Sequence, residues 1–185
     1  MEIEWRPGIG DPTVWGWLTV IAYAATAVLA LRAANVAQIS GRNWRTESVF
    51  WFSVTLMMIA LGINKQLDLQ SLLTEVARNW AKGAGWYDGR RTVQEVAIGL
   101  LLVSAVGAVI ASWFLLRRAA TEIKLASTSL CLVIAFVIVR AASFHHIDAL
   151  VGSDLSVIGW NAVLELPGIL MTALCATWYR FRRRR

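Results

Sequence analysis

The sequence predicts an all-α integral membrane protein with five transmembrane helices. Hydrophobic residues make up 57% of its 185 residues and charged residues only 16%. Five apolar stretches alternate with polar connections, and the basic residues concentrate in alternate connections, which is the pattern of a multi-pass protein. A chain of this length and composition has room for one domain, so we expect a single transmembrane helical bundle over residues 1–185.

Each apolar stretch reaches or approaches the roughly 20 residues that a membrane-spanning helix needs. The predicted spans are Val14–Leu31, Val49–Ile63, Val96–Leu116, Leu125–Phe144 and Val157–Trp178. The second is the shortest. Acidic residues, rather than a basic region, precede the first stretch, so we expect it to be a retained span and not a cleaved signal peptide.

The distribution of Lys and Arg predicts the orientation of the bundle. One side receives Arg32, Arg42, Arg45, Arg117, Arg118, Lys124 and the Arg180–Arg185 segment; the other receives Arg6, Lys65, Arg78, Lys82, Arg90 and Arg91. The positive-inside rule therefore places the N-terminus outside and the C-terminus in the cytoplasm, with residues 179–185 as a basic cytoplasmic tail that contacts anionic lipid. We expect a location in the plasma membrane, the inner membrane of a bacterium, and no nucleic-acid partner.

Tryptophan positions agree with this topology, because indole rings favour the headgroup regions of a bilayer. The predicted outer ends carry Trp15, Trp17, Trp86 and Trp160, and the predicted inner ends carry Trp44, Trp51, Trp113 and Trp178.

An amphipathic helix is predicted over residues 66–82, directly after the second span. Its apolar positions recur at three- and four-residue steps: Leu69, Leu72, Leu73, Val76 and Trp80. We expect this helix to lie on the outer face as an interfacial anchor, with a lid over the bundle as the alternative.

Polar and ionisable residues enter the apolar segments in four places, and such residues face a partner or a cavity because they are expensive in lipid. The four groups are Lys65 with Asp68, Gln94 with Glu95, Arg140 with Ser143, His145, His146 and Asp148, and Asn161 with Glu165. In the five-span topology all four lie in the outer half of the membrane, and we expect no comparable set in the inner half.

These groups predict one polar site near the outer leaflet. In a catalytic interpretation His145 is a general acid or base, Asp148 orients it, and Glu165 is a second acid or base. Lys65 and Arg140 would hold an anionic group of the substrate. Asp68 and Asn161 complete the predicted substrate-binding set.

Two other interpretations of the same residues stay open. A divalent metal on His145, His146 and Asp148 is the less favoured one, because adjacent histidines on a helix point about 100° apart. In the other, the charges are interhelical ion pairs, Arg140 with Glu165 and Lys65 with Asp68. No other cofactor follows from the sequence.

One family shares part of a motif with this chain. The spacing of Arg140 and His146 resembles the start of the Arg-x5-His-x3-Asp motif of type-2 phosphatidic acid phosphatases. Position 150, where that motif has Asp, is Leu in this chain, and no Pro-Ser-Gly-His element is present. The sequence therefore assigns no family.

The sequence thus predicts an outer-leaflet polar pocket that binds or processes an amphiphilic or lipid-linked substrate with an anionic head. The alternative is a non-catalytic accessory subunit of a membrane complex, and the sequence does not decide whether the protein is an enzyme. Expected partners are membrane lipids and a membrane protein or further copies of this chain.

Overall fold

The computed structural model describes residues 11–40, 43–67, 90–142 and 160–184. These residues form five helices: α1 Val14–Ser40, α2 Trp44–Leu67, α3 Arg90–Leu115, α4 Thr121–Ala142 and α5 Trp160–Arg184. Each contains one of the five predicted apolar stretches or most of it. Most helices extend beyond the apolar stretch, because backbone hydrogen bonding continues where hydropathy has already fallen.

Four of the helices, α1, α2, α4 and α5, are long and apolar enough to cross a membrane. In α3 the apolar range found among the described residues is the shorter Gly99–Leu115, and the first turns of this helix carry Arg90, Arg91 and Glu95. The prediction of a membrane protein with several spans is therefore supported by four helices.

Neighbouring helices pack in the order α2, α1, α5, α4, α3. The face of α1 that meets its neighbours is built from small side chains, namely Ala27, Ala30, Ala33, Ala34 and Ala37, all buried. Small residues let helix backbones approach closely, and close van der Waals packing holds helices together in lipid. Gly168 plays the same part between α5 and α4, because a Cβ atom at this position would overlap Val133 Cγ2.

Large apolar side chains point outward from the bundle. Phe52, Leu56, Leu170 and Leu174 are each more than half exposed. The hydroxyl groups of buried threonines, in contrast, bond within their own helix, as Thr26 Oγ1 does to the carbonyl of Ala22 at 2.7 Å. An apolar exterior, with threonine hydroxyls bonded inside their own helix, is the arrangement that a hydrocarbon surrounding favours.

The N-terminus of α1 is capped by side chains. Thr13 Oγ1 accepts a hydrogen bond from the Gly16 amide at 3.0 Å, and it donates to Asp11 Oδ1 at 2.6 Å. This cap satisfies one of the amides that a helix start leaves without an intrahelical partner. It also fixes Asp11 beside the end of the bundle.

Candidate functional site

Three helices bring a buried polar cluster together at one end of the bundle. Lys65 lies in the last turn of α2, Glu165 in the second turn of α5, and Tyr23 in the third turn of α1. Because α2 runs antiparallel to α1 and α5, its C-terminal end meets the N-terminal part of both.

The centre of this cluster is an ion pair between α2 and α5. Lys65 Nζ lies 3.0 Å from Glu165 Oε2, and the Tyr23 hydroxyl donates to Glu165 Oε1 at 2.5 Å. Lys65 Nζ also lies 3.6 Å from Asp11 Oδ2. We call these four residues, Asp11, Tyr23, Lys65 and Glu165, the Lys65 cluster.

Burial distinguishes this pair from a surface salt bridge. The Lys65 side chain is 4% exposed and that of Glu165 is 3% exposed. A carboxylate and an ammonium removed from water need each other, because either one alone would remain as an uncompensated charge. The ammonium is already held by two carboxylates, so in this arrangement it is not presented to an external anion.

Two further predicted site residues lie in the helices at this end. Arg140 is in the last turn of α4 and Asn161 in the first turn of α5, and only their backbone positions belong to the described part of the chain. Asp68, His145, His146 and Asp148 lie outside the described residues, as do residues 68–82 of the predicted amphipathic helix. The structure therefore joins Lys65 to Glu165 and leaves the remaining proposed contacts as predictions.

The ion-pair interpretation of the sequence chose a different partner for Lys65. It matched Lys65 with Asp68, which lies outside the described residues, so that contact stays a prediction; the structure adds two partners that this interpretation did not name, Glu165 and Asp11. A hydropathy profile does not give the order of helices around the bundle, and that order decides which charges meet.

The opposite end of the bundle holds a second buried polar cluster, and the expectation that it would have none was wrong. Glu47 at the start of α2 accepts from the Tyr179 hydroxyl at 2.7 Å and from Arg183 Nη2 at 2.9 Å. Glu122 at the start of α4 accepts from Arg182 Nη1 at 2.9 Å. We call Glu47, Glu122, Tyr179, Arg182 and Arg183 the Glu47 cluster.

Sequence reasoning missed this cluster because it assigned Arg182 and Arg183 to a basic tail and the acids to connections. In the structure α5 continues as a helix to Arg184. Arg183 and Arg182 therefore lie beside the N-terminal turns of α2 and α4. Glu47 and Glu122 are 2% and 0% exposed. The sequence signal that could have revealed this cluster is an acidic residue in the first turn of an apolar helix, Glu47 in α2 and Glu122 in α4.

A pocket of about 340 Å³ opens beside the second cluster. Its lining is formed by the α3–α4 connection, the start of α4 and the end of α5: Ala119, Ala120, Thr121, Glu122, Tyr179, Arg182 and Arg183. It therefore combines two guanidinium groups with a helix N-terminus.

One of the tryptophans that the sequence places at the membrane surface lies in the core. Trp51 is fully buried and its ring packs 5.5 Å from that of Tyr179, although the sequence predicts it at the inner membrane surface. Trp44, Trp113 and Trp178 at the same end are about half exposed, as expected for indole rings in the headgroup region. Trp51 differs because it lies on the face of α2 that packs inside the bundle.

Within the described residues no group of three or more His, Cys, Asp or Glu side chains is arranged to hold a metal ion. The three residues of the predicted metal site lie outside that part of the chain, so the metal interpretation stays a prediction. Comparison of the chain with protein-family models, curated proteins and solved structures finds no match.

Proposed function

We propose that this protein is a non-catalytic accessory subunit of a membrane complex and that its buried charges are interhelical ion pairs. The observation that carries the proposal is the closed Lys65–Glu165 pair, with both side chains at most 4% exposed. A substrate-binding lysine needs N–H donors directed at an open space, whereas this ammonium lies between two carboxylates of its own chain.

The second cluster supports the same role. A carboxylate from α2, Glu47, is matched with a phenol and a guanidinium from α5, so α2 and α5 are joined at both ends of their length. Two such contacts, one at each end, fix the position of α2 relative to α5 along the bundle axis. A rigid bundle with an apolar exterior suits a protein that presents its helices to a membrane partner.

The topological part of the proposal extends the four supported spans. α3 is the fifth span, the N-terminus is outside and the C-terminus is cytoplasmic, in the inner membrane of a bacterium, with residues 66–82 as an interfacial helix on the outer face. The asymmetry of Lys and Arg between alternate connections supports this orientation.

The proposal is tested by comparing charged and apolar pairs in cells that lack the native gene. Lys65→Met and Glu165→Leu singly are expected to lower the amount of folded protein and its growth complementation together. The double variant is expected to recover both, because it leaves no buried charge unpaired. His145→Ala and Asp148→Asn are the matched controls and should complement normally.

A different result would favour a substrate site. If the double variant accumulates as folded protein at the native level but fails to complement, and His145→Ala fails in the same way, the charges act in chemistry and the accessory role is overturned.

The second candidate is therefore the outer-leaflet pocket for an amphiphilic substrate with an anionic head. It is favoured by one observation: Lys65 and Glu165, assigned to one site from the sequence, lie in hydrogen-bonding contact. In that case His145 is a general acid or base that Asp148 orients, Glu165 is a second acid or base, and Arg140 and Lys65 hold the anionic head, with Asp68 and Asn161 as further contacts.

A further inference from the structure

The pocket beside the Glu47 cluster is lined by two arginines and one glutamate, Glu122, so its charged lining is net positive. Arg182 contacts Glu122 through Nη1, yet 65% of its side chain is exposed. Arg183 is bound to Glu47 and is 26% exposed. Each guanidinium is thus held in place by a buried carboxylate while part of its side chain is exposed. A fixed guanidinium loses less conformational entropy on binding a ligand than a free one.

The surroundings of the pocket add positive charge. Arg117 and Arg118 in the α3–α4 connection are exposed, and Lys124 in the first turn of α4 donates to the Arg117 carbonyl at 3.1 Å. The pocket wall at Ala120 and Thr121 is the N-terminus of α4. Amide groups and the helix dipole at such an end favour a phosphate oxygen.

The position of the pocket indicates where the anion comes from. It lies at the ends of apolar helices, on the same end of the bundle as Trp113 and Trp178, which are 47% and 54% exposed. Half-exposed indole rings are typical of the headgroup level of a bilayer. Its volume of about 340 Å³ lies within the usual range of small-molecule sites.

We propose that this pocket binds the phosphate group of an anionic phospholipid, with Arg182 as its main ligand and Arg183 and the start of α4 as supporting contacts. Basic pockets between transmembrane helices bind lipid heads in this manner. The site is separate from the Lys65 cluster, and it holds whether or not that cluster acts on a substrate.

The test is titration of the full-length protein in nanodiscs of phosphatidylcholine with phosphatidylglycerol, with bound lipid counted by native mass spectrometry. Glu122→Gln keeps Arg182 and removes a carboxylate that competes with the lipid phosphate for it, so it serves as the reference variant and should bind phosphatidylglycerol at least as tightly as the native protein. Glu122→Gln combined with Arg182→Gln leaves no buried charge unpaired and is expected to bind about tenfold more weakly than this reference, the effect of one charge-assisted contact.

Two further variants separate the pocket from general surface charge. Arg45→Gln removes a positive charge at the same end, from a residue that stacks on Trp44 outside the pocket lining, and should leave binding within about twofold. Ala119→Phe fills the pocket without changing charge and should weaken binding about tenfold.

Equal weakening by Arg45→Gln and by the double variant would overturn the proposal, because binding would then follow net charge alone. Full binding by Ala119→Phe would also overturn it. Competition by free inorganic phosphate at the same concentration as the lipid would show a soluble phosphate site and would overturn the choice of a phospholipid.

Discussion

The two ends of the bundle use the same three groups, a buried glutamate, a tyrosine hydroxyl and a cation, but they differ in access to water. At one end the cation is Lys65, with 4% of its side chain exposed. At the other, Arg183 and Arg182 are 26% and 65% exposed. The ion pair at the first end is therefore enclosed, whereas the cations of the ion pairs at the second end also line a pocket.

This difference follows from where the cations lie along their helices. Lys65 is on a buried face of α2 and extends towards α1 and α5, so its ammonium is enclosed by helices on several sides. Arg182 and Arg183 lie at the final turn of α5, where the packed part of the bundle ends. Ion pairs of similar geometry should therefore contribute differently to stability, because water competes for the arginines and not for the Lys65 ammonium.

The largest effect is expected at the closed end. Lys65→Met leaves Glu165 buried without its cation and should lower the free energy of unfolding by about 3–5 kcal/mol. Denaturant titration of the purified protein in detergent micelles measures this loss. Addition of Glu165→Leu should recover most of it, and an equal loss in the single and double variants would contradict the pairing.

A smaller loss is expected from the equivalent change at the open end. Glu47→Leu leaves Arg183 without a carboxylate, but a guanidinium at 26% exposure can be solvated in part. We expect about 2–3 kcal/mol, below the Lys65→Met value, in the same titration. A loss equal to or above the Lys65→Met value would remove the proposed difference between the ends.

A change in helix packing at Gly168, between the two clusters, should lower stability less than the loss of the Lys65–Glu165 ion pair. Gly168→Ala places a Cβ against Val133 of α4 and should destabilise the fold by about 1–3 kcal/mol through overpacking. Gly107→Ala on α3 is the matched control, because a Cβ atom at that position would have no neighbour within 4 Å among the described residues. Thermal unfolding should show a lower transition temperature for Gly168→Ala alone.

The smallest effects compare the two tyrosines. Tyr23→Phe and Tyr179→Phe each remove one hydrogen bond to a buried glutamate and should each lower stability by about 0.6–1.7 kcal/mol, the scale of interhelical hydrogen bonds in membranes. Denaturant titration of both variants gives the comparison. A difference between them well above this range would show that the phenols have unequal roles.

Much of the fold could be predicted because hydropathy is a local property. The first predicted span and α1 begin at the same residue, Val14, and the third predicted span ends one residue beyond α3. The length of α2 was underestimated, since its last turn carries Asn64 and Lys65, which a hydropathy profile assigns to a connection. Glu165 was recognised as a site residue because an acid within an apolar span needs a partner.

The partners themselves could not be predicted, since they depend on the rotation and order of helices. Tyr23 and Asp11 gave no sequence signal that linked them to Glu165 and Lys65. Trp51 was assigned to the interface because its position along the span is near an end, but burial depends on the face of the helix as well as on depth.

By itself the sequence determined that this chain forms long apolar helices and that a few charges must be buried with them, because both follow from the transfer of side chains and backbone out of water. The tertiary structure alone decided that Lys65 meets Glu165, that Glu47 meets Arg183, and that one end is closed while the other borders a pocket. These outcomes depend on which helix faces come together, and the close packing of small residues, the alanines of α1 and Gly168 of α5, helps to set those faces.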